Sequence, residues 1–206
     1  MRFTQPDWVV HPDDRSEKKP LQSITSVSPS ADGTRVATGA LDSKLRIWST
    51  TPILEEAAAA DETANPRLLC TGTAHNGAIM CVRFSSTGNR IASGADDRIL
   101  AVWERQDGEG GKKVWGTNDV NVETWKPIRL LAGHTNDVLS VAWSDDDAFL
   151  ASGGSDLQVL VWDGNTFAPI RKLELHSQFI KGIVFDPVGE YLATQVKSSV
   201  SFACLC

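Results

Sequence analysis

Apolar residues in this chain fall into short runs with a period of two, and the runs themselves recur. Met80, Val82 and Phe84 occupy alternate positions, as do Leu139, Val141 and Trp143. Side chains on a strand point to opposite faces in turn, so this period predicts β-strands. The runs belong to a gapless repeat, Ile24–Trp48, Ile79–Trp103 and Val138–Trp162, with a fourth copy that starts at Ile180 and loses the pattern after Gln195. Each copy reads strand, turn, strand, tight turn, strand. Gly33, Gly88 and Gly189 share the first turn, where a positive φ is often needed. The third copy has Asp147 there instead. Asp tolerates left-handed backbone better than most residues.

A fourth, outer strand is expected between the copies, at Arg67–Thr71, Ile128–Leu131 and Ile170–Glu174. Four-stranded units repeated in this way predict an all-β fold, a β-propeller with three complete blades and a partial fourth in an incomplete ring. One domain, residues 1–195, is expected, with 196–206 as a tail outside it. The repeat tryptophans Trp48, Trp103 and Trp162 stand 55 and 59 positions apart, against roughly 40–45 for an ordinary propeller repeat. The excess lies in an acidic, Ala-rich stretch from Thr50 to Pro66 and in Glu104 to Pro127. The first reads as a surface loop, flexible or partly helical.

Composition narrows the function. Hydrophobic content of 41% and seven Trp support a packed core, and the net charge of −6 argues against a nucleic-acid-coating surface. No apolar run reaches the roughly 18 residues of a membrane span, and the N-terminus lacks a signal-peptide core. A soluble, intracellular chain is expected. Cys70, Cys81, Cys204 and Cys206 offer neither disulfide nor zinc spacing. Cys81, inside a strand run, reads as a small buried hydrophobe. The Gly108–Lys113 run fails the phosphate-loop pattern, because Gln106 replaces its first Gly and Lys113 its Ser or Thr. It reads as a solvated insertion. Neither a metal nor a cofactor is expected.

His75, Ser93, Asp97 and Trp103 recur at His134, Ser152, Asp156 and Trp162 with identical offsets. Ser, His and Asp together invite a hydrolase reading. Repetition favours structure instead, because a catalytic site is needed once while every blade needs its buried polar groups paired. No residue is therefore assigned to catalysis. The first copy keeps Thr38, Asp42 and Trp48 but has Pro20 in the His place, so its network is expected to be incomplete. Asn136, Asp137, Gln178 and Phe179, with Asp96 and Ser155 beside them, fall at loop ends where a rigid scaffold presents side chains to partners. Phe179 has two readings, an exposed aromatic contact or a residue packed on its own blade.

This arrangement resembles the WD-repeat family, whose Gly-His and Trp-Asp pairs appear at Gly133-His134 and Trp162-Asp163. Within it, the chain is similar to the N-terminal propeller of the HIRA/Hir histone chaperones. The FTQPDWVVH opening, the Asn121–Trp125 element NVETW with its flanks, and IKGIVFDPVGEYLATQ carry that resemblance. It implies a nuclear, non-catalytic scaffold in a complex that deposits histones outside replication and represses transcription. Its partners would be the other chaperone subunits, with histones met indirectly and chromatin through the complex. No membrane or small-molecule partner is implied. A generic WD-repeat adaptor, in ubiquitin ligation or RNA processing, is the alternative, and NVETW separates the two.

After Gln195 the repeat calls for Asp at 198 and Trp at 204, where the chain has Ser198 and Cys204. Residues 196–206 are expected to form neither a third strand nor part of the family pattern. Intron read-through and an alternative C-terminus are both open readings. The open blade edges lead to an expectation of low stability and self-association.

Overall fold

The computed structural model describes residues 9–12, 21–55, 66–107, 112–113, 120–174, 176–197 and 199–204. Strands β1 (His11–Pro12) and β2 (Leu21–Gln22) make a short pair. The first blade follows as β3 (Ile24–Pro29), β4 (Arg35–Ala40), β5 (Lys44–Ser49), the single helical turn α1 (Thr51–Leu54) and β6 (Leu68–Thr73). The second holds β7 (Ile79–Phe84), β8 (Arg90–Ala95) and β9 (Ile99–Gln106). A small pair, β10 (Lys112–Lys113) and β11 (Val120–Asn121), then leads to the outer strand β12 (Thr124–Ala132). The third runs β13 (Val138–Trp143), β14 (Phe149–Gly154), β15 (Val159–Asp163) and β16 (Pro169–Leu173). The last sheet has three strands, β17 (Gly182–Phe185), β18 (Tyr191–Gln195) and β19 (Val200–Cys204).

Every neighbouring pair within a blade is antiparallel. The expected outer strands are present as β6, β12 and β16. One expectation is corrected. Val200–Cys204 pairs with Tyr191–Gln195 along its whole length, so residues beyond 195 do supply a third strand. Pairing needs a backbone ladder and a period of two, and Val200, Phe202 and Cys204 alternate with Ser201 and Ala203. The missing Asp and Trp remove polar ties, not the strand. Residues 1–8, Pro20, most of the acidic insertion, Ser198 and Cys206 lie outside the described residues.

Three apolar cores fill the three gaps between successive blades. Leu45, Ile47 and Cys70 meet Ile79, Ile91 and Trp103 in the first, while Leu100 and Val102 meet Val138, Leu150 and Trp162 in the second. In the third, Ala151, Val159 and Val161 meet Ile180, Phe185 and Leu192. Sandwiched sheets hide both faces, so β8, β14 and β15 are buried nearly throughout. The outermost faces stay open, with Val27 58% and Phe202 72% exposed.

A common contact sets the blade spacing. An apolar residue at or just before the start of each new inner strand presses on a glycine of the preceding blade: Ile79 on Gly39, Val138 on Gly94, Ile180 on Gly153. A Cβ on Gly94 would stand 2.5 Å from Val138 Cγ1, and one on Gly153 would stand 2.7 Å from Ile180 Cγ2. Only glycine fits there, which accounts for the Thr-Gly and Ser-Gly pairs of the second strands.

Candidate functional site

The predicted polar residues come together as two copies of one chain of hydrogen bonds. In the second blade, His75 Nδ1 lies 3.1 Å from Asp97 Oδ2 and its Nε2 lies 2.8 Å from Ser93 Oγ. The Trp103 indole N–H donates to the same Ser93 Oγ at 2.8 Å. In the third blade, His134 Nδ1 lies 3.0 Å from Asp156 and Nε2 lies 2.8 Å from Ser152, to which Trp162 donates at 3.0 Å. The carboxylates also accept backbone N–H groups, from Asn76 and Ile99 onto Asp97 and from Thr135 and Gln158 onto Asp156. Each network therefore ties the loop before an inner strand to the turn between the second and third strands of its own blade.

Burial pushes His75 and His134 below the ordinary imidazole value, against the upward pull of Asp97 and Asp156. Neutral rings fix the direction of the chain. Nδ1–H donates to the carboxylate, Nε2 accepts the serine O–H, and the serine oxygen accepts from the indole. The order Ser–His–Asp matches that of a hydrolase triad. Yet Ser93 and Ser152 are completely buried, and the indole already occupies the oxygen that would have to attack a substrate. The Gly-His and Trp-Asp signatures also touch. A Cβ on Gly133 would come within 3.0 Å of the Trp162 ring, so the glycine lets the outer strand's end lie against the indole.

The first blade departs from expectation in an informative way. Trp48 donates to Thr38 Oγ1 at 2.8 Å, as in the other blades. No histidine reaches Asp42 among the described residues. Arg46 takes that role, placing Nη1 2.5 Å from Asp42 Oδ2 with both side chains about 95% buried. An apolar residue stands at this position in the next two copies, Ala101 and Leu160, so the arginine was a visible signal that went unread. The fourth sheet keeps half a network, with His176 Nε2 2.6 Å from Thr194 Oγ1. These residues carry the same offsets as His134 and Ser152.

The Asn121–Trp125 element braces the first blade to the second. The Asn121 side chain accepts the Thr71 N–H at 2.8 Å and donates to the Thr71 carbonyl at 3.3 Å. Val122 and Glu123 donate their N–H groups to the Leu69 carbonyl. The Glu123 carboxylate takes Arg35 of the first blade in a forked contact of 2.9 Å from Nε and 2.5 Å from Nη2, and it accepts the Trp125 indole at 3.0 Å. Burial alone would raise the Glu123 carboxyl, but the Arg35 and Trp125 hydrogen bonds hold it below its ordinary value. Trp125 itself is buried edge-on against Phe84. Cys81 is 4% exposed, and burial raises its thiol to about 12, as expected of a small buried hydrophobe.

Of the loop-end residues, Asn136, Asp96, Gln178 and Phe179 are exposed and Asp137 is partly so. Phe179 shows 54% of its surface, which supports the exposed reading. Ser155 is corrected. It is 8% exposed, its N–H bonded to the Asp137 carbonyl, so the turn folds it inward.

Antiparallel four-stranded blades with a repeated His–Asp–Ser–Trp network define a WD-repeat β-propeller. Sequence comparison narrows the class. The CAF1B/HIR1 beta-propeller domain matches residues 1–202, and the chain belongs to that family. It is 49% identical to Protein HIR1 of Cryptococcus neoformans over 195 residues, which is 95% of this chain and 22% of that protein. It is 43% identical to HIR1 of Mycosarcoma maydis, covering 94% of this chain and 19% of that protein, and 38% identical to hir1 of Schizosaccharomyces pombe, covering 95% and 21%. The chain thus spans about a fifth of the length of the curated relatives it matches.

Proposed function

We propose that this propeller is a protein-docking scaffold of a HIR-type histone chaperone complex, acting in the nucleus in replication-independent nucleosome assembly and transcriptional corepression. It performs no catalysis in this reading. Its direct partners are the other subunits of the complex, and it meets histones and chromatin through them. The observation that carries the proposal is the relationship to HIR1 proteins across 95% of the chain, including the NVETW element that braces two blades. The geometry is in keeping with it. The repeated polar groups face inward and hold loops in place, while the loop ends carry exposed side chains. Asn136, Asp137, Gln178, Phe179 and Asp96 are the proposed contact residues.

Affinity purification of the tagged protein from nuclear extract tests this. Co-purification of chaperone subunits and histones is expected, with recovery reduced by Phe179→Ala while the near-ultraviolet spectrum stays unchanged. Recovery of ubiquitin-ligase or RNA-processing subunits in their place would overturn the proposal. Full recovery with Phe179→Ala would remove that residue as a principal contact.

A further inference from the structure

The loop ends of the third and fourth blades enclose a cleft of about 410 Å³ lined by Leu157, Ser177, Gln178, Phe179, Lys181 and Lys197. Its charge and its apolar wall set it apart. Its lining has two exposed lysines and no carboxylate, in a chain whose net charge is −6. Neither lysine is in an ion pair among the described residues. The apolar wall includes Phe179, 54% exposed.

Leu157 completes the apolar wall from the turn between the second and third strands of its blade. Leu157 has φ +69°, a left-handed conformation that disfavours bulky side chains. The equivalent turn positions are Ser43 and Arg98, also left-handed at +64° and +68°. At this position the third blade alone among these presents an apolar side chain, and it presents it to the cleft. The left-handed turn is common to the three blades, so what distinguishes this one is the apolar side chain it carries, not its backbone.

We infer that this cleft docks an acidic peptide segment carrying one large apolar side chain, the apolar group lying between Leu157 and Phe179 and its flanking carboxylates meeting Lys181 and Lys197. The inference rests on the scaffold reading and names the chemistry of one partner. Two cations beside an aromatic ring could also receive single-stranded nucleic acid. The acidic surface elsewhere on the chain disfavours a long phosphate backbone and leaves a short peptide as the better fit.

Fluorescence anisotropy on the intact protein tests it. The probe is a fluorescein-labelled peptide with one leucine between runs of aspartate and glutamate. The controls are the same peptide with serine for leucine, one with lysine for the acidic residues, and a thymidine oligonucleotide. Saturable binding of the first peptide is expected, weakened about tenfold by Lys181→Glu with Lys197→Glu, since two exposed ion pairs become repulsions. Leu157→Gly should weaken binding while raising the unfolding midpoint, a combination that misfolding does not produce. Equal binding of the acidic and basic peptides, unchanged affinity in the lysine reversal, or tighter binding of the oligonucleotide would each overturn the inference. The scaffold reading is judged separately by the purification, which surfaces elsewhere on the propeller can satisfy.

Discussion

Asp147 of the third blade reaches back to the second and holds Thr87 twice. Its Oδ2 accepts the Thr87 N–H at 3.0 Å and the Thr87 hydroxyl at 2.7 Å, while Oδ1 accepts the Ser86 N–H at 2.7 Å. Asp147 stands where the other copies have Gly33, Gly88 and Gly189, and all four residues have positive φ. The sequence departure at this turn is thus a tie between blades.

Asp147→Ala should lower stability by about 2–4 kcal/mol, since it removes a buried acceptor of three hydrogen bonds and leaves a non-glycine residue in left-handed geometry. Asp147→Gly should cost less, because glycine accepts the backbone conformation and only the tie is lost. Urea unfolding of the two variants checks the order. An Ala variant no less stable than the Gly variant would count against the tie.

Asp156→Ala should cost about 1–3 kcal/mol by removing the acceptor of the buried His134 N–H and of two backbone groups. The loss should register as a lower melting midpoint, matched by Asp97→Ala in the second blade. A wild-type melt for both variants would contradict a structural role for these networks.

Gly94→Ala should destabilise by about 1–3 kcal/mol through overpacking against Val138 and Cys81. Val138→Ala in the same chain should restore part of that loss, because it removes the methyl groups nearest the new Cβ. A double-mutant cycle reads the coupling directly. Additive effects would show that the two residues do not set the blade spacing.

Acidification should weaken the fold through His75 and His134. Their folded values lie below the ordinary 6.5 because burial disfavours the charged ring. Below about pH 6.5 the unfolded chain therefore binds protons that the folded chain does not. The stability is fully present above that value and declines as pH falls through it toward the lower folded values. Urea midpoints compared at pH 7.5 and 5.5 should fall for wild type and change less for a His75→Gln, His134→Gln double variant. Equal pH dependence would show that these rings do not control the loss.

The blades were legible because strand alternation, turn residues and the His–Ser–Asp–Trp offsets all repeat in register. What stayed hidden was mostly contact between copies. Gly94 reads as part of a Ser-Gly pair, and only the neighbouring sheet shows Val138 against it. A period of two suggests one covered face, yet Cys81, on the opposite face from Val82 and Phe84, is buried too, because blades enclose each sheet on both sides. The NVETW element is visible as a motif, but its link to Arg35 and Thr71 spans 88 and 50 positions of sequence. Arg46 supplies the partner of Asp42 from another position of the repeat, the one that Ala101 and Leu160 hold in the next two copies, so the missing histidine at position 20 gave no sign of it.

The glycine that receives each new blade precedes, in order of synthesis, the residue that fills it. Gly39 leaves the ribosome well before Ile79, Gly94 before Val138, and Gly153 before Ile180. A growing chain thus cannot seal the inner end of one blade until it has begun the next.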